Sequence, residues 1–301
     1  MKTKYYLITL FIFLLFASYL PFSAHARGLT AKAERKLGID YFYGRNGITK
    51  SYKKAVYWFT KAAERGNGEA QYYLGGLYYF GRGVKQDYSK AFYWFREAAE
   101  QENPRAQNDL GIFYYYGHGV KRNYSKAVYW YRKAADQGNS ASQVNLGLSY
   151  YQGHGVTKNY SKAVYWYRKA AEKGNHNAQV KLGNSYYHGY GLKQDYSKAV
   201  YWYRKAANQG YPDAQFNLGS AYYQGHGVKQ DYSKAVYWYK KAANQGDSDA
   251  QFILGGIYYL GLGVKQDYSK GLYWFRKAAA NGNKDARDIL EKGRYSWKPR
   301  W

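Results

Sequence analysis

Residues 195–210 read DYSKAVYWYRKAANQG, and close copies of this segment occur seven times in the chain. One tryptophan marks each copy, and the tryptophans follow one another at intervals of 36 residues: Trp58, Trp94, Trp130, Trp166, Trp202, Trp238 and Trp274. A fixed period between about 20 and 50 residues is typical of a repeat array. The sequence therefore predicts a single tandem array.

Each copy has the pattern of an amphipathic α-helix. In the second copy, the apolar residues Ala91, Trp94, Phe95, Ala98 and Ala99 have the spacing of one helix face. A residue able to cap a helix precedes the helix in all seven copies. These residues are Ser51, Asp87, Asn123, Asn159, Asp195, Asp231 and Asp267. Two of them also fit the N-x-S glycosylation pattern, which is the alternative interpretation for Asn123 and Asn159.

A second helix is predicted in each repeat, with Ala70, Leu74 and Tyr78 on one face. A glycine recurs in its middle, at a cost of about 1 kcal/mol relative to alanine, so another helix is expected to pack closely there. These glycines are Gly75, Gly111, Gly147, Gly183, Gly219 and Gly255. The first helix usually stops at a glycine, but Glu102 replaces it in the second copy. That copy is therefore predicted to end less cleanly.

Two helices in every 36 residues predict an all-α fold, an α-solenoid of tandem helix-turn-helix repeats. The recurring pattern resembles the Sel-one-like repeat (SLR) of the tetratricopeptide-repeat superfamily. In one copy it comprises Ala214, Leu218, Gly219, Tyr222, Gly225, Gly227, Val228, Asp231, Lys234, Ala235, Trp238, Lys241, Ala242, Ala243 and Gly246. The resemblance covers about residues 33–292. It implies a right-handed superhelix that serves as an adaptor or scaffold for protein complexes, with no catalytic residues common to the family.

The array is predicted to contain seven repeats and a partial capping helix. The predicted boundaries are 33–69, 70–105, 106–141, 142–177, 178–213, 214–249 and 250–285, with the capping helix at 286–292. A basic aromatic tail follows at 293–301, and it either binds a partner or folds onto the last repeat.

Residues 1–26 have the features of a secretory signal peptide. Lys2 and Lys4 precede an apolar core, and Ala24-His25-Ala26 fits a cleavage site. An uncleaved membrane anchor is the alternative. We therefore expect an exported protein, periplasmic or secreted after cleavage near Ala26, without a transmembrane span in the mature chain.

The composition is strongly basic, with 46 Lys and Arg against 20 Asp and Glu and a formal net charge of +26. Repetition places the lysine before the helix alanine, such as Lys198, on basic ridges along the array. Such a field favours acidic partners: an acidic protein or an anionic envelope polymer. Binding of an anionic glycan, lipopolysaccharide or lipid is thus the alternative function, whereas export argues against nucleic acid.

Catalytic and metal chemistry are not indicated by the sequence. His118, His154, His188 and His226 recur near the G-x-G turns, but ligands from successive repeats are too far apart to share one ion. An S-x-x-K motif begins at Ser51 and lacks the partner motifs of a serine β-lactamase. We expect a non-enzymatic protein with no metal or cofactor.

Differences between copies indicate where a partner binds. Three positions of the second helix vary along one face, and the middle repeats are polar there, whereas the outer repeats are more apolar. The hypothesis is a central polar patch, and neutral drift on an exposed face is the alternative. The patch comprises Asn145, Gln152, Lys181, Asn184, His188, Asn217, Ser220 and Gln224. The leading function is a non-enzymatic exported scaffold for protein–protein interaction, in the bacterial envelope or in host interaction.

Overall fold

The computed structural model describes residues 28–292, and within this range it contains fifteen α-helices and no strand. The predicted signal peptide (1–26) and tail (293–301) lie outside the described residues. The helices are α1 Ala31–Tyr43, α2 Tyr52–Glu64, α3 Gly68–Phe80, α4 Tyr88–Glu100, α5 Pro104–Tyr116, α6 Tyr124–Asp136, α7 Ser140–Gln152, α8 Tyr160–Glu172, α9 His176–His188, α10 Tyr196–Asn208, α11 Pro212–Gln224, α12 Tyr232–Asn244, α13 Ser248–Leu260, α14 Tyr268–Ala280 and α15 Lys284–Lys292.

Two kinds of helix alternate, which confirms the predicted α-solenoid of helix hairpins. We call α2, α4, α6, α8, α10, α12 and α14 the W-helices, because each carries a repeat tryptophan. The G-helices are α1, α3, α5, α7, α9, α11 and α13, and each carries a buried mid-helix glycine. The chain divides into two compact units, the first ending at Trp130 and the second beginning at Tyr131.

Capping side chains fix where the helices begin, as the sequence predicted. Asp195 Oδ1 accepts a hydrogen bond from the backbone amide of Lys198 at 2.9 Å. The six remaining W-helices all have the equivalent bond at their start. In the second copy, Glu102 adopts the left-handed conformation (φ 62°) that glycine has in the other copies. Helix α4 therefore ends in register with its counterparts, and the prediction of a less clean end was wrong.

The core is centred on the aromatic residue that follows each repeat tryptophan. Phe59, Tyr167 and Tyr239 are at most 1% exposed, whereas among the seven repeat tryptophans only Trp58 and Trp274 are buried. Mid-helix glycines make room for these rings, because a Cβ atom on Gly219 would lie 2.9 Å from Cδ1 of Tyr239. The close helix approach predicted from these glycines is confirmed.

The second glycine of the G-x-G turn joins one repeat to the preceding one. Gly119 has φ 62°, and a Cβ atom there would lie 2.6 Å from the carbonyl carbon of Tyr88. The residue between the two glycines stacks on the same tyrosine, since the rings of His118 and Tyr88 are 5.2 Å apart. In the second unit His226 stacks on Tyr196 at 4.6 Å. The turn is therefore also a contact between repeats.

A buried glutamine also connects successive repeats, a feature that the sequence analysis missed. Gln215 Nε2 donates to the carbonyl of Ala207, near the end of the preceding W-helix, at 3.3 Å. Its Oε1 accepts from Nε2 of Gln245, one repeat later, at 2.9 Å. Equivalent bonds join Gln71 to Gln101 and Gln179 to Gln209. These bonds satisfy polar groups that burial would otherwise leave unpaired.

Candidate functional site

The variable face of the G-helices lines two cavities, one in each unit. The first, which we call the aromatic cavity, has a volume of about 430 Å³ and lies between α1, α3, α4 and α5. Rings form most of its wall: Phe42, Tyr72, Tyr73, Tyr79, Phe95 and Phe113. The second, the polar cavity, has a volume of about 230 Å³ and is lined by residues of α7, α8 and α9 and by Tyr190. Variable positions contribute to both.

The polar cavity brings together three of the eight residues of the predicted patch. Lys181, Asn184 and His188 line it together with Tyr167 and Tyr190. His188 stacks on Tyr190 with ring centroids 5.2 Å apart. Burial raises the pKa of Tyr167, so its phenol stays protonated at neutral pH and can donate a hydrogen bond. The cavity therefore offers a cation, amide groups and hydroxyls to an acidic or polar group.

The other predicted residues lie beside this cavity rather than in it. Asn217 Nδ2 donates to Asn184 Oδ1 at 3.4 Å. Ser220 Oγ accepts from the hydroxyl of Tyr239 at 2.9 Å, and Gln224 Oε1 accepts from that of Tyr187 at 2.8 Å. Asn145 and Gln152 lie on α7 and do not line the cavity. The eight predicted residues thus follow one another along the array, and three of them line the polar cavity.

The larger aromatic cavity was not identified from the sequence. It includes Tyr73, Phe80 and Ile112, which occupy variable positions in the more apolar outer repeats, outside the predicted polar patch. Tyr73 stacks on the core ring of Phe59, at a centroid distance of 5.0 Å and an interplanar angle of 3°. The apolar residues at the variable positions of consecutive repeats were the sequence signal that could have indicated this cavity.

Asp109 is the acidic group of the aromatic cavity. Its Oδ1 accepts from Asn108 Nδ2 at 3.0 Å, and the carboxyl group also accepts from the hydroxyl of Tyr72. Burial raises the pKa of Asp109 to about 6, although both hydrogen bonds and the charge of Arg105 act to lower it. Burial likewise raises the pKa of Tyr72 to about 12. Asp109 therefore titrates near neutral pH in a mostly apolar recess.

Two histidines near the turns, His118 and His226, make contacts between repeats. His226 Nδ1 lies 2.9 Å from the hydroxyl of Tyr187, and its ring stacks on Tyr196. In residues 28–292 no group of three or more His, Cys, Asp or Glu side chains is arranged to hold a metal ion. Across the same residues, no helix has the length and apolar character needed to cross a bilayer.

The W-helices of the second unit carry a strongly basic surface. Helices α8, α10, α12 and α14 contain twelve Lys and Arg residues and a single acid, Glu172. Lysines lie over exposed rings, as Lys205 does over Tyr201 at 4.8 Å from the ring centroid. One W-helix of the first unit, α4, differs because Glu97 and Glu100 lie beside Arg96.

Comparison with known proteins agrees with this architecture. The model of the Sel1 repeat family matches seven consecutive segments, 31–67, 68–103, 104–139, 140–175, 176–211, 212–247 and 248–283. A search of curated proteins found no match.

Two solved structures are similar over most of the chain. A protective antigen of uropathogenic Escherichia coli with an SLR fold is 41% identical, with a TM-score of 0.80 over 90% of this chain and 59% of that one. A Sel1 repeat protein from Oxalobacter formigenes is 36% identical, with a TM-score of 0.74 over 87% of this chain and 75% of that one. The present chain thus spans about three fifths of the antigen. The seven matched repeats and these similarities show that the present chain belongs to the Sel1 repeat family, in agreement with its helix hairpins.

Proposed function

We propose that this protein is a non-enzymatic scaffold that binds another protein through the variable face of its G-helices. Sel1 repeat proteins generally mediate protein–protein interaction. The observation that carries the proposal is the location of both cavities. They lie where the repeats differ from one another, while the core positions and caps recur. Side chains that vary on a constant framework are what recognition of one particular partner requires.

The two cavities divide the binding surface by chemistry. The aromatic cavity would take an apolar side chain of the partner, and the polar cavity would take an acidic or polar one beside Lys181 and His188. Concave sites of this kind, mostly apolar with a few polar groups, are the common form of ligand-binding sites in proteins.

The proposal includes export to the envelope or the outside of the cell. It is supported by the sequence of residues 1–26, with a basic start, an apolar core and an Ala-x-Ala end. The similar protein from uropathogenic Escherichia coli is described as a protective antigen, which agrees with such a location.

The basic surface of the second unit favours a second candidate function, the binding of an anionic glycan, lipopolysaccharide or lipid. Twelve cations against one acid on four W-helices give a field that attracts polyanions. Exposed charges of this kind are screened by salt, with a Debye length of about 10 Å at 0.1 M. Such binding should therefore weaken steeply as ionic strength rises.

Affinity capture with residues 27–301 distinguishes the two functions. Envelope and host-cell extracts would be applied to the immobilised chain and eluted with a salt gradient. A discrete protein retained at high salt, and lost from a Lys181→Ala/Asn184→Ala/His188→Ala variant, is expected. Release of polyanions alone at moderate salt would contradict the scaffold function and favour the basic surface.

A further inference from the structure

We infer that the aromatic cavity binds a cationic group on an apolar or aromatic body, such as a lysine or arginine side chain, with Asp109 as the counter-ion. The inference deepens the proposed function. It rests on that function only in assuming that the cation belongs to a partner protein. The cavity itself can be tested without that partner.

The wall of the cavity suits a cation. The faces of aromatic rings are electronegative, and a cation within about 6 Å of a ring centroid is attracted to them. Tyr72, Tyr73, Tyr79, Phe95 and Phe113 surround a space of about 430 Å³. That volume lies within the range of small-ligand sites and is large enough for a long side chain.

Asp109 supplies the negative charge that such a ligand needs. Its hydrogen-bond donors, Asn108 Nδ2 and the hydroxyl of Tyr72, are both neutral. Arg105 lies close by, but its guanidinium lies over the Tyr72 ring at 4.7 Å and Nη2 is 3.8 Å from Oε1 of Glu69. Within residues 28–292 no lysine or arginine forms an ion pair with Asp109, so the charge of Arg105 offsets only part of the effect of burial on its pKa.

The charged and titratable groups around Asp109 come from α1, α3, α5 and the turn after α3, whereas α4 lines the cavity with Phe95 alone. They are Arg105 on α5, Glu69, Tyr72, Tyr73 and Tyr79 on α3, Arg82 in the following turn, and Tyr43 on α1. Burial raises the pKa of Tyr72, Tyr73 and Tyr79, and arginine stays charged, so these three tyrosines and two arginines keep their charge as Asp109 titrates. The cavity should gain its negative charge as the pH rises through about 6.

The same repeat position has the opposite charge in the polar cavity. Asp109 on α5 and Lys181 on α9 are separated by two repeats of 36 residues. Asparagine occupies this position in two other repeats, as Asn145 and Asn217. The fold therefore accommodates Asp, Asn and Lys here, and both Asp109→Asn and Asp109→Lys are expected to fold.

The test uses two probes of the same shape and the full chain. 2-Phenylethylammonium carries the cation, and 2-phenylethanol is its neutral counterpart. Their affinities would be measured by titration calorimetry, and the contact with the cavity rings by NMR. The ammonium should bind about tenfold more tightly than the alcohol at about pH 7.5, as expected for one charge-assisted interaction. This preference should fall towards pH 5, because Asp109 becomes protonated while the amine stays charged.

The variants separate charge from shape. Asp109→Asn should bind both probes equally at all pH values, and Asp109→Lys should prefer the alcohol. Lys53→Gln, at an exposed position of α2 outside both cavities, should behave as the unchanged chain. Equal binding of the two probes, failure of both to bind, or an unchanged preference in Asp109→Asn would each overturn the inference.

Failure of the inference can be told apart from failure of the proposed function. If a captured protein binds Asp109→Asn as tightly as the unchanged chain and the probes show no charge preference, the scaffold stands and the inference falls. If the probes show the preference but no protein is captured, the cavity chemistry stands and the scaffold function falls.

Discussion

Tyr203 donates its hydroxyl to Oδ1 of Asn184 at 2.7 Å, so a buried core ring contacts the variable face directly. In the next repeat, Tyr239 donates to Oγ of Ser220 at 2.9 Å. Where the variable position is glycine, as at Gly76 and Gly256, the core ring of the following helix is phenylalanine. In these two repeats the core tyrosine is therefore coupled to the polar residue that its hydroxyl contacts, although tyrosine also follows the apolar Ile112 and Leu148, as Tyr131 and Tyr167.

Replacing Tyr203 by phenylalanine should destabilise the second unit by about 1 kcal/mol, the usual net contribution of a hydrogen bond. Denaturant unfolding of the full chain, followed by tryptophan fluorescence, measures the effect. Tyr167→Phe is the control, because its hydroxyl forms no hydrogen bond within residues 28–292 and its loss should change stability little. Equal costs for the two variants would refute the coupling.

Two adjacent glycines of α3 should respond in opposite ways to alanine. A Cβ atom on Gly75 would lie 2.8 Å from Cδ1 of Phe95, whereas one on Gly76 meets no atom within 4 Å. Gly76→Ala should stabilise the protein by up to about 1 kcal/mol through helix propensity. Gly75→Ala should destabilise it, since overpacking costs about 1–3 kcal/mol and exceeds that gain. Thermal unfolding of both variants is the measurement, and stabilisation by Gly75→Ala would be inconsistent with the packing described.

The glutamine connection is incomplete at one repeat, and a single substitution should complete it. Oε1 of the buried Gln143 has no hydrogen-bond partner, because Lys173 stands where Gln209 and Gln245 stand in later repeats. Lys173 Nζ donates instead to the carbonyl of Gly138 at 2.8 Å. Gln245 makes both kinds of bond in its repeat.

Lys173→Gln should therefore stabilise the second unit by about 1 kcal/mol, since it pairs a buried acceptor. Denaturant unfolding measures this change. Lys169→Gln, at an exposed position of α8, the helix that ends just before Lys173, is the control and should have little effect. No gain from Lys173→Gln would mean that the connection does not contribute to stability.

Asp109 should make stability depend on pH in a direction that its raised pKa fixes. The folded-state pKa of about 6 lies above the ordinary value of 3.8, so the folded chain binds this proton more tightly than the unfolded chain. Proton binding by Asp109 therefore contributes to the free energy of unfolding. This contribution is complete below pH 3.8 and is lost as the pH rises through about 6.

Asp109→Asn removes this dependence. The variant should be more stable than the unchanged chain at about pH 7.5, by at most about 3 kcal/mol, because a shift of one pKa unit is worth about 1.4 kcal/mol. The difference should vanish below pH 3.8. Unfolding free energies measured across this range check the prediction, and a difference that grows as the pH falls would show the opposite linkage.

The fold was predictable because its determinants are local and repeated. Caps such as Asp195, the apolar helix face and the mid-helix glycines recur at the same spacing, so each copy strengthens the interpretation of the others. The role of Gln215 was not predictable in this way. A glutamine next to a core alanine has no helix-forming signature, and its two bonds exist only once neighbouring repeats pack.

The proposed binding surface was predictable in part. Variation between copies pointed to the helix face that contributes to both cavities, and Lys181, Asn184 and His188 line one cavity together. The larger cavity was missed because its depth depends on rings from four helices. Phe42 and Phe95, for example, come from α1 and α4 and do not belong to the variable positions. The prediction favoured the middle repeats because it used only the polarity of the variable side chains.

The most direct test of the scaffold function compares the affinity of one captured partner protein for three forms of the full chain. These are the unchanged chain, the Lys181→Ala/Asn184→Ala/His188→Ala variant, and Tyr201→Ala. Tyr201 is 50% exposed on the W-helix surface and serves as the control. The account predicts a loss of at least about tenfold for the triple variant, as for truncated interface residues that contribute to binding, and no change for Tyr201→Ala. Full affinity of the triple variant together with weakened binding by Tyr201→Ala would contradict it and place the partner on the W-helices.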